Sequence, residues 1–235
     1  MTNNHLSYIW KLLPSARLVG GCVRDNLLGK TPKDYDFATH LLPEEVIEIF
    51  SNNGIEVVPS GLQHGTVMVI LDGIGYEITT LRTDDETDGR HAIVSFTDSW
   101  EKDAERRDFT FNALYMDKEG TIYDYYNGVE DLKNNIIRFI GSAEKRIKED
   151  SLRILRYFRF MTRIDNPITV EQDKIDIKSN VQLMDILSKE RILSELTKIF
   201  SCDITRWDVI SLLNEYGISK QLFSRDIPIP KENLN

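Results

Sequence analysis

The alternation of apolar and polar positions divides the chain into a mixed first part and a helical second part. Leu6 to Leu13 carries apolar residues at helical spacing and predicts a short amphipathic helix. Leu18-Val19 runs into Gly20-Gly21, and a helical stretch from Val23 to Leu28 stops at Gly29. After a turn at Thr31-Pro32-Lys33, Asp34-Tyr35-Asp36-Phe37 alternates in the manner of a strand. Leu42-Pro43 opens a helix to about Asn52, with Glu44 and Glu45 at its positive end. Ile55 to Pro59, Thr66 to Leu71 and Tyr76 to Leu81 predict strands, the last two joined by an Asp72-Gly73 turn. Residues 83–105 are polar and acidic and read as a long mobile connection. Tyr115 to Asp117 and Thr121 to Asp124 predict a hairpin, and Ile136 to Ile140 a final strand. Beyond Gly141 the spacing is helical, most clearly at Glu149 to Phe160 and Val181 to Phe200, with a polar, proline-bearing tail from Asp226. The expected organisation is an α/β head over residues 1–140 and an all-α region over 141–235.

Composition narrows the class. A chain of 235 residues with 41% hydrophobic and 29% charged content has the balance of a soluble globular protein. No apolar run reaches the roughly 18 residues that span a bilayer, and the N-terminus lacks the pattern of a signal peptide. Cys22 and Cys202 form no metal or disulfide framework, and His5, His40, His64 and His91 are scattered. A reducing, cytoplasmic setting is the expectation. The net charge of −9 opposes general nucleic-acid binding. Residues 138–163 invert that sign, with eight basic side chains against three acids. Such a segment is either a solvated helix face or a surface for polyanions.

The candidate chemistry begins at Asp34 and Asp36. In a strand, side chains two apart share a face, roughly 6.5–7 Å apart. Carboxylates that close repel one another unless a cation or a proton intervenes. Mg²⁺ suits them, since it takes one or two carboxylates together with waters and phosphate oxygens. Gly20 and Gly21 before a helix bring backbone N–H groups to an anion, and Arg24 in the first turn adds a positive charge. Taken singly, these are also a turn, a solvated edge and a surface charge. Arg106-Arg107-Asp108-Phe109-Thr110-Phe111-Asn112 is a polar cluster in an apolar segment. It either recognises a ligand or lets Asp108 pair with Arg107 and cap a helix. Asp150 and Arg153 are three apart, helix neighbours at that spacing, and Arg156 and Arg159 continue in steps of three. An ion pair with scattered surface arginines is the plainer reading there.

Together these stretches resemble a known family. Residues 20–36 fit GGxVRDxLLGxxxxDxD, residues 106–113 fit RRDxTxNA, residues 149–160 fit EDxxRxLRxxRF and residues 190–196 fit ERxxxEL. In that order they are similar to the tRNA nucleotidyltransferase and bacterial poly(A) polymerase family, in its bacterial (class II) branch. Tyr125, in Asp124-Tyr125-Tyr126-Asn127-Gly128, stands where that family usually has proline.

The resemblance implies a polymerase-β-like nucleotidyltransferase head followed by an all-helical neck. It implies transfer of C and A from CTP and ATP to the 3′ end of tRNA, with Asp34 and Asp36 as catalytic ligands of two Mg²⁺ ions. Glu77 is the expected third carboxylate, against the reading of an exposed strand acid. Gly20, Gly21, Arg24 and Arg107 are expected on the triphosphate, and Asp108 and Asn112 on the ribose side. Arg90 and His91 are expected in the family's flexible loop. Asp150 and Arg153 are expected on the base edge. Cytosine and adenine both set an amino donor beside an acceptor, so a carboxylate and a guanidinium can accept them and reject U and G. Arg156 and Arg159 would hold triphosphate or primer phosphates, and the ERxxxEL element is expected to be structural. Alternatives are a poly(A) polymerase, an enzyme adding only CC or only A, and a non-catalytic RNA- or nucleotide-binding module. Little chain follows the neck motif, which suggests a minimal enzyme, a truncated chain, or one that grips RNA through a partner protein. The sequence sets no oligomeric state.

Overall fold

The protein is described here by a computed structural model covering residues 2–87, 92–201 and 206–229. These residues fall into two compact units, 2–86 with 93–130 and 131–229 with Thr87 and Ala92.

The first unit opens with α1 (Thr2–Leu12), β1 (Arg17–Val19), α2 (Gly21–Leu27), β2 (Asp36–Thr39) and α3 (Pro43–Asn52). It continues with β3 (Glu56–Gly61), β4 (Thr66–Leu71) and β5 (Ile74–Thr80). Then come β6 (Arg82–Thr87), β7 (Ala92–Phe96), α4 (Trp100–Glu105), β8 (Leu114–Met116) and β9 (Ile122–Asp124). Seven strands form one mixed sheet in the order β3-β4-β5-β2-β1-β8-β9. The alternation in β4 explains its two faces: Val67, Val69 and Leu71 are buried, while Thr66, Met68 and Ile70 are half-buried. One face packs Val67, Val69, Phe37 and Ile78 with Ile9 of α1, Leu13 just after it, and Val46 and Phe50 of α3. The opposite face therefore receives the residues one step along each strand, among them Asp36 and Glu77.

Residues 83–105 are not a bare connection. β6 and β7 pair with each other as a separate two-stranded sheet, and Ile93-Val94 of β7 is β-branched. Ser99 then caps α4 by accepting from the Lys102 N–H at 3.3 Å. Gly128 closes this unit at a point of tight backbone approach. A Cβ there would collide with the Thr110 carbonyl oxygen.

The second unit is helical. α5 (Gly128–Lys133) leads into it, followed by β10 (Ile136–Ile137), α6 (Ala143–Glu149), α7 (Leu152–Met161), β11 (Ile168–Thr169) and α8 (Glu171–Asn180). A 3₁₀ segment, Val181–Ile186, precedes α9 (Lys189–Phe200), α10 (Arg206–Glu215) and α11 (Ile218–Phe223). The strand expected over 136–140 shrinks to two residues, which pair in parallel with β11. The physical reason is side-chain capture. Arg138 turns to Asp131 at 3.0 Å, and the Phe139 N–H donates to the Asp173 carboxylate at 3.3 Å. Among the described residues, no helix is long and apolar enough to cross a membrane.

Candidate active site and nucleotide-binding residues

β2 lies in the middle of the large sheet and runs parallel to β5, with Asp36 directly opposite Glu77. Registered partners in adjacent strands present their side chains on the same face. Asp34 lies just before β2, exposed, rather than within the strand, and Asp36 is half-buried at its first position. Burial pushes the Asp36 carboxyl up to about 6, and the charges of Glu77 and then Asp34 add to the rise, while Arg107 opposes it. The charges of two further carboxylates and of one arginine thus reach Asp36. Glu77, expected as the third acid, is placed by register alone.

The glycine turn sits at one end of β1. Gly20 has φ 73°, a conformation that side-chain-bearing residues rarely adopt, and it precedes the first residue of α2. A Cβ on Gly20 would meet Arg107 Nη1 and the Asn112 carbonyl oxygen, each at 3.5 Å. One on Gly21 would meet Arg24 Nη2 at 3.7 Å. Arg24 pairs with Asp25 at 2.6 Å and donates through Nη1 to Asn112 Oδ1 at 2.7 Å. Asn112 in turn donates to Asp108 Oδ1 at 3.0 Å, which also accepts from the Phe109 N–H. Asp108 therefore braces a short 3₁₀ turn, Thr110–Asn112, and not an α-helix. The chain Asp25–Arg24–Asn112–Asp108 ties α2 to that turn.

Arg107 does not pair with Asp108. It donates to Asp103 at 3.0 Å and to the Tyr115 hydroxyl at 3.3 Å. Asp103 and Tyr115 belong to none of the sequence motifs, although Asp103 stands three and four residues before Arg106 and Arg107, the ion-pair spacing of a helix. Arg90 and His91 lie outside the described residues.

In the helical unit the expected partners are exchanged. Asp150 is extended, with φ −154° and ψ 105°, and joins α6 to α7 rather than lying in a helix. Its carboxylate accepts from the Leu152 N–H at 3.1 Å and from Arg191 of α9 at 2.8 Å. Arg153 donates to Glu149 at 2.7 Å and to the Arg146 carbonyl at 2.9 Å. Arg159 donates to Glu195 of α9 at 3.1 Å. Arg153, Arg156 and Arg159 are the half-buried positions of α7 among buried Ile154, Leu155, Tyr157 and Phe158. The ERxxxEL element thus supplies counter-charges for Asp150 and Arg159.

Comparison with known proteins fits this arrangement. Residues 16–138 match the family model described as "Poly A polymerase head domain". The chain belongs to that family. Residues 171–228 match a second model, "Probable RNA and SrmB- binding site of polymerase A". A human protein named "CCA tRNA nucleotidyltransferase 1, mitochondrial" is 50% identical over 186 residues, covering 78% of this chain and 43% of the human one. The crystal structure of a Bacillus stearothermophilus CCA-adding enzyme in complex with CTP superposes with a TM-score of 0.80 and 38% identity, covering 89% of this chain and 51% of the other. A Thermotoga maritima CCA-adding enzyme complexed with tRNA_CCA gives a TM-score of 0.75 and 26% identity, covering 92% and 50%. The chain spans about half the length of the curated relatives it matches. The family, with its α/β head and helical continuation, is as the motifs implied.

Proposed function

We propose that this chain carries the nucleotidyl-transfer machinery of a template-independent tRNA nucleotidyltransferase, adding C and A from CTP and ATP to the 3′ end of tRNA. The observation that carries the proposal is the register of Asp36 against Glu77, with Asp34 and Arg107 acting on the same carboxylate. The 3′-oxygen of the RNA bonds to the α-phosphorus, its proton leaves to solvent or base, and the bond to pyrophosphate breaks. Relatives titled as CCA-adding enzymes with CTP and with tRNA_CCA support this choice of substrates.

Among the described residues, no three His, Cys, Asp or Glu side chains form a ready-made metal cage. Mg²⁺ needs none, since it binds through one or two carboxylates completed by waters and phosphates. Burial leads the rise at Asp36, and a hard dication would relieve the part that Glu77 and Asp34 add to it. Asp34 and Asp36, with Glu77 beside them, would hold two Mg²⁺ ions, which supply charge neutralisation to the attacking and leaving oxygens when bound. Gly20, Gly21, Arg24 and Arg107 take the triphosphate, and Asp108 and Asn112 shape the ribose side. In the helical unit, Asp150 and Arg153 offer an acceptor and a donor to the base edge, while Arg156 and Arg159 take phosphates. A cytoplasmic location belongs to the same proposal.

The family description also favours a second reading, a poly(A) polymerase. An extension assay separates the two. Purified protein, Mg²⁺ and tRNA lacking its 3′ end are given each nucleotide singly and all together. Addition of C, C and A with a clean stop supports the first reading. Long A tracts support the second, CC alone or A alone marks a split activity, and bound nucleotide without transfer marks a binding module.

A further inference from the structure

Asp103 belongs to none of the motifs, yet its carboxylate is 1% exposed and fully engaged. Oδ1 accepts from Arg106 Nε at 2.9 Å and from the Arg82 backbone N–H at 3.3 Å. Oδ2 accepts from Arg107 Nη2 at 3.0 Å and from the Tyr115 hydroxyl at 2.7 Å. The Tyr115 hydroxyl also accepts from Arg107 Nε at 3.3 Å. Asp103, Arg107 and Tyr115 therefore close a ring in which each pair is bonded. Burial works against the Asp103 charge, but Arg107 and Arg106 outweigh it and hold the carboxyl well below the usual range. The Tyr115 ring is itself fixed, edge to face with Trp100 at 5.2 Å and with Tyr125 at 6.1 Å.

The ring occupies two of the three guanidinium nitrogens of Arg107. The third, Nη1, is the one that lies at Gly20. We infer that Asp103 is a positioning residue: with the Tyr115 hydroxyl it clamps Arg107 so that Nη1 is presented to the glycine turn for a triphosphate oxygen. The inference rests on the nucleotide reading above and extends it to residues outside the motifs. Its physical basis is pre-organisation. A guanidinium already held by two acceptors loses little freedom when the anion arrives, whereas an unclamped one must be ordered at that moment.

The competing role for Asp103 is structural, as the neutralising partner of Arg106 and Arg107. Equilibrium binding of CTP and of inorganic triphosphate, with Mg²⁺, tells the two apart. The variants are Asp103→Asn, Tyr115→Phe, Arg107→Ala and the two doubles with Arg107→Ala, each checked for an intact melting transition. Tyr115→Phe keeps the ring and removes only the hydroxyl, so it answers the question if Asp103→Asn does not fold. Asp103→Asn and Tyr115→Phe are each expected to weaken both ligands by about tenfold, and neither to matter beyond about twofold once Arg107 is alanine, because the effect passes through Arg107. Unchanged affinity in folded Tyr115→Phe and Asp103→Asn overturns the inference alone. So does a loss that persists in the Arg107→Ala background. A wild-type protein that binds neither ligand overturns the nucleotide reading, and this inference with it.

Discussion

Two aspartates, one in each unit, are driven to the same acidity by different surroundings. Asp36 in the head and Asp173 in the helical unit are both pushed up to about 6, and in both burial is the main cause. At Asp36 the next contributions are the carboxylates of Glu77 and Asp34, so several acids converge there. At Asp173 the next is the opposing hydrogen bond from the Phe139 N–H, which makes the group a brace for the chain between β10 and α6. Burial leads at both and neighbouring acids add to both, so the rise alone marks no site. The order differs, with Glu77 and Asp34 next after burial at Asp36 and Asp176 ranking behind the hydrogen bond at Asp173. The two units also treat their arginines differently. In the head, Arg107 is clamped with one nitrogen at the glycine turn. In the helical unit, Arg153 and Arg159 are paired with Glu149 and Glu195, and Asp150 with Arg191.

The largest effect expected from this contrast is at Asp36. Asp36→Asn should lower nucleotide incorporation by about a thousandfold or more, with the melting temperature held or raised, since a neutral side chain removes the repulsion from Glu77 and Asp34. Incorporation close to wild type, measured by single-turnover extension, would place the chemistry elsewhere. A smaller change is expected at Arg191, whose partner Asp150 is extended and about a third exposed. Arg191→Ala should raise misincorporation of U or G by a few fold while leaving transfer of C largely intact, as a partly solvated ion pair holds its members only moderately. Loss of all transfer would assign α9 a larger part than bracing.

The smallest effect, of opposite sign, is on stability. The Asp173 carboxyl is raised in the folded state, so the folded protein holds a proton that the unfolded chain gives up near the ordinary carboxylate value of 3.8. That stabilisation is present below pH 4 and lost as pH rises through about 6. Asp173→Asn cannot ionise and still accepts from the Phe139 N–H. It should melt a few degrees higher than wild type at pH 7 to 8, with the gap closing toward pH 4. Thermal melts across that range check both the sign and the window.

The motifs were legible because they are local. The glycines, the Asp-x-Asp pair and the arginine run each lie within a short stretch, and the strand pattern of 66–81 follows from alternation alone. What the sequence concealed is long-range or depends on a break in local structure. Asp34 sits outside the strand because β2 begins only at Asp36. Asp150 leaves the helix at a junction between α6 and α7, which the regular spacing around it does not announce. Its partner Arg191 is 41 residues away. Asp103 was hidden within an acidic stretch read as connection, although helix α4 puts it in reach of both following arginines. Glu77 was expected beside the aspartates from the resemblance, and its register opposite Asp36 comes from the parallel pairing of β2 with β5.

The proposed function divides the labour, with phosphate chemistry in the head and base choice in the helical unit. It is tested most directly by the ratio of UTP and GTP incorporation to CTP and ATP incorporation in Arg153→Ala beside Asp36→Asn. The account predicts that Arg153→Ala keeps transferring nucleotides but admits U and G, whereas Asp36→Asn loses all four together. An Arg153→Ala protein that stays active with unchanged base preference would contradict it.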